Sequence, residues 1–259
     1  MISIFKMDLY RMFKTKSMYI LWGIMIFIFT FTSYIAYSVD GVYTENLYLA
    51  DSKMDILASL EGMINLFPIF IAIFTTIFTT ADMSSGYIKN IASQISNRSI
   101  LIFSKAFSML VYTIMTAIIF FFTQLIVNKV FLGYIYFSDT TKLLQYLGMQ
   151  ILLNFALSAL CISYCILIRK SGISMTIAVA TAVGFIGDTI VYPMLDAIAR
   201  ELINETFQAY KFGLTGNIFA VFFEEFTNTD IIRGIIVAIC FLIVSTLTSC
   251  IVFKKRDIV

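Results

Sequence analysis

Six apolar runs, each about long enough to cross a bilayer as a helix, constrain this chain more than any other feature. They are Met18–Tyr37, Met63–Thr80, Ala106–Val127, Leu147–Ile168, Ile173–Leu195 and Gly234–Phe253. A helix rises about 1.5 Å per residue, so about 20 residues span a hydrocarbon layer roughly 30 Å thick. With 60% of its 259 residues hydrophobic and only 13% charged, the chain has more apolar surface than one aqueous core can bury. Lipid solvates such surface. The expected fold class is therefore all-α, a polytopic membrane protein with six transmembrane helices forming a single domain over residues 1–259.

The charges between the runs sort by side. Lys6, Arg11, Lys14 and Lys16 precede the first run, and Lys89, Arg98 and Lys105 follow the second. Arg169 and Lys170 follow the fourth run, and Lys254, Lys255 and Arg256 follow the sixth. Only Asp8, Asp82 and Asp257 accompany them. The alternate loops hold most of the acids, including Asp40, Glu45, Asp51, Asp55, Glu61, Asp139, Asp196, Glu201 and Asp230. The positive-inside rule then places both termini in the cytoplasm, which requires an even number of spans. The first run is too long for a signal-peptide core and lacks a small-residue cleavage site, so it reads as a retained anchor. A net charge of +2 leaves no electrostatic footprint for nucleic acid.

Composition also removes whole classes of chemistry. The chain contains no histidine, which counts against zinc proteases of the His-Glu-x-x-His type, histidine-based triads and haem ligation by histidine. Glu224-Glu225 resembles half of an intramembrane protease motif, but its histidines are missing and it falls in an outer, acidic turn. No phosphate-cradling Gly-x-x-x-x-Gly-Lys-Ser/Thr occurs. No catalytic, cofactor-binding or metal residue is expected. Cys161 and Cys165 share a helix face by their spacing, which suits either a soft metal or small apolar packing. The lack of any histidine partner favours packing.

Local patterns divide the rest. Ile2, Phe5, Leu9, Met12 and Phe13 recur at helical spacing among basic residues, predicting a cytoplasmic interfacial helix over residues 2–17. The loop Ser38–Gly62 holds room for a short helix over Leu47–Leu60. Arg169–Gly172 is so short that the fourth and fifth spans must form a helical hairpin. Residues 196–233 are semi-apolar and predict two short outer interfacial or re-entrant helices, Ala197–Tyr210 and Asn217–Phe226, breaking at Gly213 and Gly216. Pro68 is expected to kink the second span. Ser174, Ala178 and Ala182 form a small-residue face for close helix approach, within the chain or between subunits. Asp188 is the sole carboxylate within a run, and its place about 22 Å beyond Ile173 lets the outer headgroup region hydrate it. Asn65, Gln124 and Asn154 either line a path or bond between helices.

Asp82-x-x-x-Gly86-Tyr87-Ile88-Lys89-Asn90-Ile91, then Ser96-Asn97-Arg98 and Ser104-Lys105 opening a new span, resembles the type 2 ABC-transporter permease family. Asp82 stands where glutamate is usual there, and Tyr87 where threonine is common. The basic amphipathic N-terminus resembles the family's connecting helix, and Phe253–Ile258 its usual C-terminal end. The resemblance covers nearly the whole chain, and size and style look closest to permeases of antimicrobial-peptide immunity and bacitracin-type exporters. It implies a transmembrane permease domain with a cytoplasmic coupling loop over 81–105. Asp82, Gly86, Tyr87, Lys89, Asn90, Arg98 and Lys105 would couple the chain to a separate ATPase. It further implies two cytoplasmic ATPase subunits that hold ATP and Mg, a second permease identical or related to this one, a peptide-like substrate and a bacterial cell membrane. The chain itself would not be an enzyme. The rival readings are an ion-coupled secondary transporter, against which no central charge and no evident repeat stand, and a non-transporting sensor or scaffold.

The topology is checked by single cysteines in a cysteine-free background. Those at Ser52 and Thr227 should react with an impermeant thiol reagent in intact cells, and one at Ser93 should stay unlabelled. Labelling at Ser93 in sealed cells overturns the orientation.

Overall fold

The computed structural model describes residues 2–47, 60, 66–85, 99–131, 135, 139–202, 208–223 and 228–255. Nine α-helices occur among them. In chain order these are α1 (Ile2–Lys14), α2 (Lys16–Leu47), α3 (Phe67–Ser84), α4 (Ser99–Phe131), α5 (Thr140–Ile168), α6 (Ser171–Ala182), α7 (Tyr192–Leu202), α8 (Leu214–Phe223) and α9 (Asn228–Lys255). A π-helical turn, Gly187–Val191, precedes α7, and a 3-10 turn, Ala209–Phe212, precedes α8. No strand occurs among the described residues. Five helices are long and apolar enough to cross a membrane: α2, α3, α4, α5 and α9. The bent pair α6–α7 makes a sixth if counted as one span. The coarse expectation of an all-helical chain with membrane-length apolar helices therefore holds. The short helix expected over Leu47–Leu60 falls almost wholly outside the described residues.

Side-chain pairings set the helix directions. Thr75 donates to the Met109 sulfur at 3.3 Å, and the Phe74 and Tyr112 rings stack at 4.0 Å. Residue numbers on α3 fall as those on α4 rise, so these two helices are antiparallel. Along α2 the order is the reverse. Trp22 Nε1 donates to Thr116 at 3.0 Å, Phe29 packs edge-on to Phe120 at 4.3 Å, and Tyr34 meets Phe131 at 5.9 Å. This parallel aromatic seam joins α2 to α4 and brings the N-terminal ends of both beside the C-terminal end of α3. Arg169 closes α5 with a left-handed φ of 59°, its N–H bonded to the Cys165 carbonyl at 3.0 Å, so two residues suffice to turn the chain into α6.

Two prolines and a glycine explain where the helices depart from the expected spans. Pro68 lies in the first turn of α3, where a missing N–H costs no helical hydrogen bond, so it opens this helix instead of kinking it. The fifth apolar run, expected as one continuous span over Ile173–Leu195, is broken by a 67° bend. Gly184 ends the first half at φ +83°, a conformation that strains any residue with a Cβ. Pro193 cannot donate to the residue four before it, and the turn just ahead of it is π-helical, with the Tyr192 N–H reaching the Gly187 carbonyl.

The 196–233 region holds two short helices with bounds shifted from those expected. α7 ends at Leu202, Gly213 separates the 3-10 turn from α8, and Gly216 lies inside α8 rather than at a break. α8 is buried at Leu214, Thr215, Asn217 and Ile218 and packs against α5 and α9. Gln150 of α5 donates to the Ile218 carbonyl at 3.2 Å, and Asn217 ties α8 to the Gly213 carbonyl at 2.7 Å.

Gly216 admits no side chain, because a Cβ there would collide with the Tyr210 carbonyl, a backbone group that cannot swing aside. Gly23 of α2 has nothing within 4 Å of such a Cβ. Gly216→Ala should cost about 1–3 kcal/mol and lower the unfolding temperature followed by fluorescence of Trp22 in detergent. Gly23→Ala should show no loss. Equal unfolding temperatures for the two variants would contradict the packing of α8.

Candidate functional site

The most constrained chemistry lies where α1, α3 and α4 meet. Asp82, in the last turn of α3, is 0% exposed. One of its carboxylate oxygens pairs with Arg11 of α1 and the other with Lys105 of α4. The Phe78 ring, one turn back on α3, faces both cations, with Lys105 Nζ at 5.1 Å and Arg11 Cζ at 6.0 Å from its centroid. Asp8 of α1, 1% exposed, accepts a hydrogen bond from Ser104 at 2.5 Å and lies 3.8 Å from Arg11. Two carboxylates thus balance two cations in one enclosed cluster.

The local sequence accounts for this placement. Asp8 sits between Phe5 and Met12 on the face that α1 turns inward, and its spacing of three from Arg11 aligns the two side chains. Phe5 packs edge-on to Phe107 at 5.5 Å, and Met12 is fully buried. Ser104 and Lys105 open the portion of α4 that meets α1 and α3. The helix α3 continues through Ser84, so the Asp82 carboxylate sits at the negative end of its own helix. That position costs about 0.3–1 kcal/mol, and the two cations paired with the carboxylate act against it.

Of the residues singled out for ATPase coupling, the structure brings together Asp82 and Lys105. Lys105 is 5% exposed, so its ammonium is engaged within the chain rather than at an interface with headgroups. Gly86, Tyr87, Lys89, Asn90 and Arg98 lie outside the described residues. Ser174, Ala178 and Ala182 are buried within the chain, on a helix packed against α3 and α5. Asp188 is exposed in the π-helical turn. Asn154 is fully buried and donates to Gln150 within α5, and Gln124 is buried on α4. Cys161 and Cys165 are buried free thiols, and no group of three metal-ligating side chains occurs among the described residues.

Asp8, Arg11 and Ser104 were missed as site residues. Arg11 reads in sequence as one more topology charge. The available signal was Asp8: an acid on the apolar face of an amphipathic helix demands an internal partner. No protein-family model matches the chain, and no curated protein matches it significantly.

Removing one member of a buried ion pair leaves the other charge uncompensated, typically at about 3–5 kcal/mol. Asp82→Asn takes the carboxylate from buried Lys105, while Arg11 keeps Asp8, and should fall in that range, read as a lower unfolding temperature and poor recovery from detergent. Arg11→Gln should cost clearly less, because the Arg11 side chain is 29% exposed and water screens it. An Asp82→Asn variant as stable as the parent would show that the cluster contributes nothing to the fold.

Proposed function

We propose that this chain is the membrane-spanning permease subunit of an ATP-driven exporter, with six spans, both termini cytoplasmic, and ATP hydrolysis on a separate subunit. The observation that supports this reading most is the tie between the two ends of the 81–105 segment. Asp82 at its start and Lys105 at its end form one buried pair, and Arg11 joins α1 to the same carboxylate. A push on residues 86–98 from a cytosolic partner would reach α3 and α4 together, since neither end of the segment can move apart from the other without breaking that pair. α1 would move with them.

The division of labour follows from the resemblance of this segment to type 2 ABC permeases and from the absence of a phosphate-cradling loop in the sequence. Two ATPase subunits holding ATP and Mg would dock on this side, with a second permease, identical or related, completing the transporter. A peptide-like, amphipathic substrate suits spans that offer little polar lining. The buried charged side chains among the described residues, Asp8, Asp82 and Lys105, all belong to the junction at one end of the bundle. That placement suits force transfer better than an ion path through the midplane.

Purified alone, the chain should show no ATP turnover. Co-expressed with its proposed ATPase partner, the parent should copurify as a complex and support export or peptide resistance. Lys89→Glu with Arg98→Glu should leave insertion intact but weaken ATPase capture and lower export at equal expression. Normal capture and export by the double variant would remove these residues from the coupling role, and turnover by the isolated chain would remove the proposed division of labour.

A further inference from the structure

We propose that the outward face of α1, with its elbow into α2, is a binding site for an anionic phospholipid, the lysines holding the phosphate and α2 receiving the acyl chains. The proposal rests on the membrane-spanning reading and is independent of ATPase coupling. α1 has two chemically distinct sides. Inward lie Asp8 and Met12, both buried, with Phe5 packed on Phe107. Outward lie Lys6, Tyr10, Phe13 and Lys14, at positions that share one helix face and are all exposed. Lys14 Nζ stands 4.9 Å from the Tyr10 ring centroid. Across Thr15 the exposed surface continues with Lys16, Tyr19 and Ile20, and Tyr19 donates back to the Phe13 carbonyl at 2.9 Å.

The order of side chains along α2 matches the order of groups in a phospholipid. Lys16, Ile20, Ile24, Phe27 and Phe31 recur at three- and four-residue spacing, and all five are exposed. A cation therefore sits at the foot of a continuous apolar stripe, with Tyr10 and Tyr19 beside it at the level where amphipathic rings favour the interface. An acidic protein would satisfy the lysines but would not extend along the stripe. One lipid molecule covers both.

Charge removes the competing interpretation that the lysines are already neutralised. Asp8 and Asp82 are the carboxylates near this junction among the described residues, and both are internal, held by Ser104, Arg11 and Lys105. Lys6, Lys14 and Lys16 face outward. A basic residue near an anionic leaflet contributes roughly 1 kcal/mol, equivalent to about fivefold in association per residue.

The test uses the full chain in bilayer nanodiscs and spin-labelled phosphatidylglycerol against spin-labelled phosphatidylcholine, reading the relative association constant by electron paramagnetic resonance. The parent should prefer phosphatidylglycerol by at least about fivefold, with the preference shrinking in high salt. Replacing Lys6, Lys14 and Lys16 together by Gln should abolish it, while the same three changed to Arg should retain it. Lys254→Gln with Lys255→Gln, which removes two charges from α9, should leave most of it. A parent without preference, or a triple Gln variant that keeps it, overturns the proposal. So does equal loss in the α9 variant, which would reduce the effect to net charge. If the triple Gln variant instead loses only ATPase capture, the face serves an acidic protein and the lipid proposal falls. Failure of the parent to enter either bilayer would defeat the membrane-spanning reading itself, an outcome visible before any lipid preference is measured.

Discussion

A single buried carboxylate, Asp82, holds together three helices that have little else in common at their ends. α1 is amphipathic and basic, α3 is ending, and α4 is beginning its 33 residues. Hydrophobic contact alone would let such ends slide, because apolar surface is not directional. A carboxylate with one oxygen turned to Arg11 and the other to Lys105 fixes angle as well as proximity. Replacing such a group by well-packed apolar side chains is often neutral or better for stability. What the ion pairs supply here is therefore position: the ends of α3 and α4 stand at one separation, and α1 is registered against both.

From that junction the bundle extends by two kinds of contact. On one side α2 follows α4 through ring pairs, Trp22 with Tyr112, Phe29 with Phe120 and Tyr34 with Phe131. On the other, α3 and α6 pack closely, with the small residues Ser174, Ala178 and Ala182 turned inward. Large rings hold helices apart with shaped surfaces, and small side chains let backbones approach. The polar groups follow the same division. Thr75 and Thr76 of α3 are buried and donate to the Met109 sulfur and the Ala72 carbonyl, whereas exposed faces of α2 and α9 are dominated by Ile, Phe and Val. Lipid accepts no unsatisfied polar group, so hydroxyls gather where a neighbouring carbonyl or sulfur can receive them.

That asymmetry explains how much of the fold was legible in the sequence. Apolar length located the helices, because each backbone crossing must satisfy its own hydrogen bonds within one helix. It did not locate their ends. α4 and α5 run well past the apolar runs Ala106–Val127 and Leu147–Ile168, since flanks of mixed polarity such as Ser99–Lys105 and Thr140–Tyr146 are equally able to stay helical. The Asp139 side chain, accepting from the N–H groups of Thr141 and Lys142, is an N-cap that was readable. Pro193 was a readable break as well, but the high hydropathy around it masked the interruption. The missing part of the site has a different cause. Arg11 and Lys105 have the same composition signature as Lys14 and Lys16, and only tertiary placement separates a cation held by Asp82 from one facing outward.

Positive charge at the ends of these helices therefore serves two purposes that sequence counting merges. Arg11 and Lys105 are matched by Asp8 and Asp82, so within the folded chain they add almost no field outside it. In membrane proteins generally, the orientation signal is read during insertion, when basic residues act one by one and acids weigh little. After folding, the internal set becomes architecture and the outward set, Lys6, Lys14 and Lys16, becomes the charged surface. The acids decide which cation belongs to which set. Asp8 lies on the inward face of α1 and draws Arg11, three residues on, toward the junction; Lys14, three residues beyond Arg11 and with no acid beneath it, stays outside over Tyr10. Moving the acid along this helix would exchange the roles of its basic residues without altering the charge count of the chain.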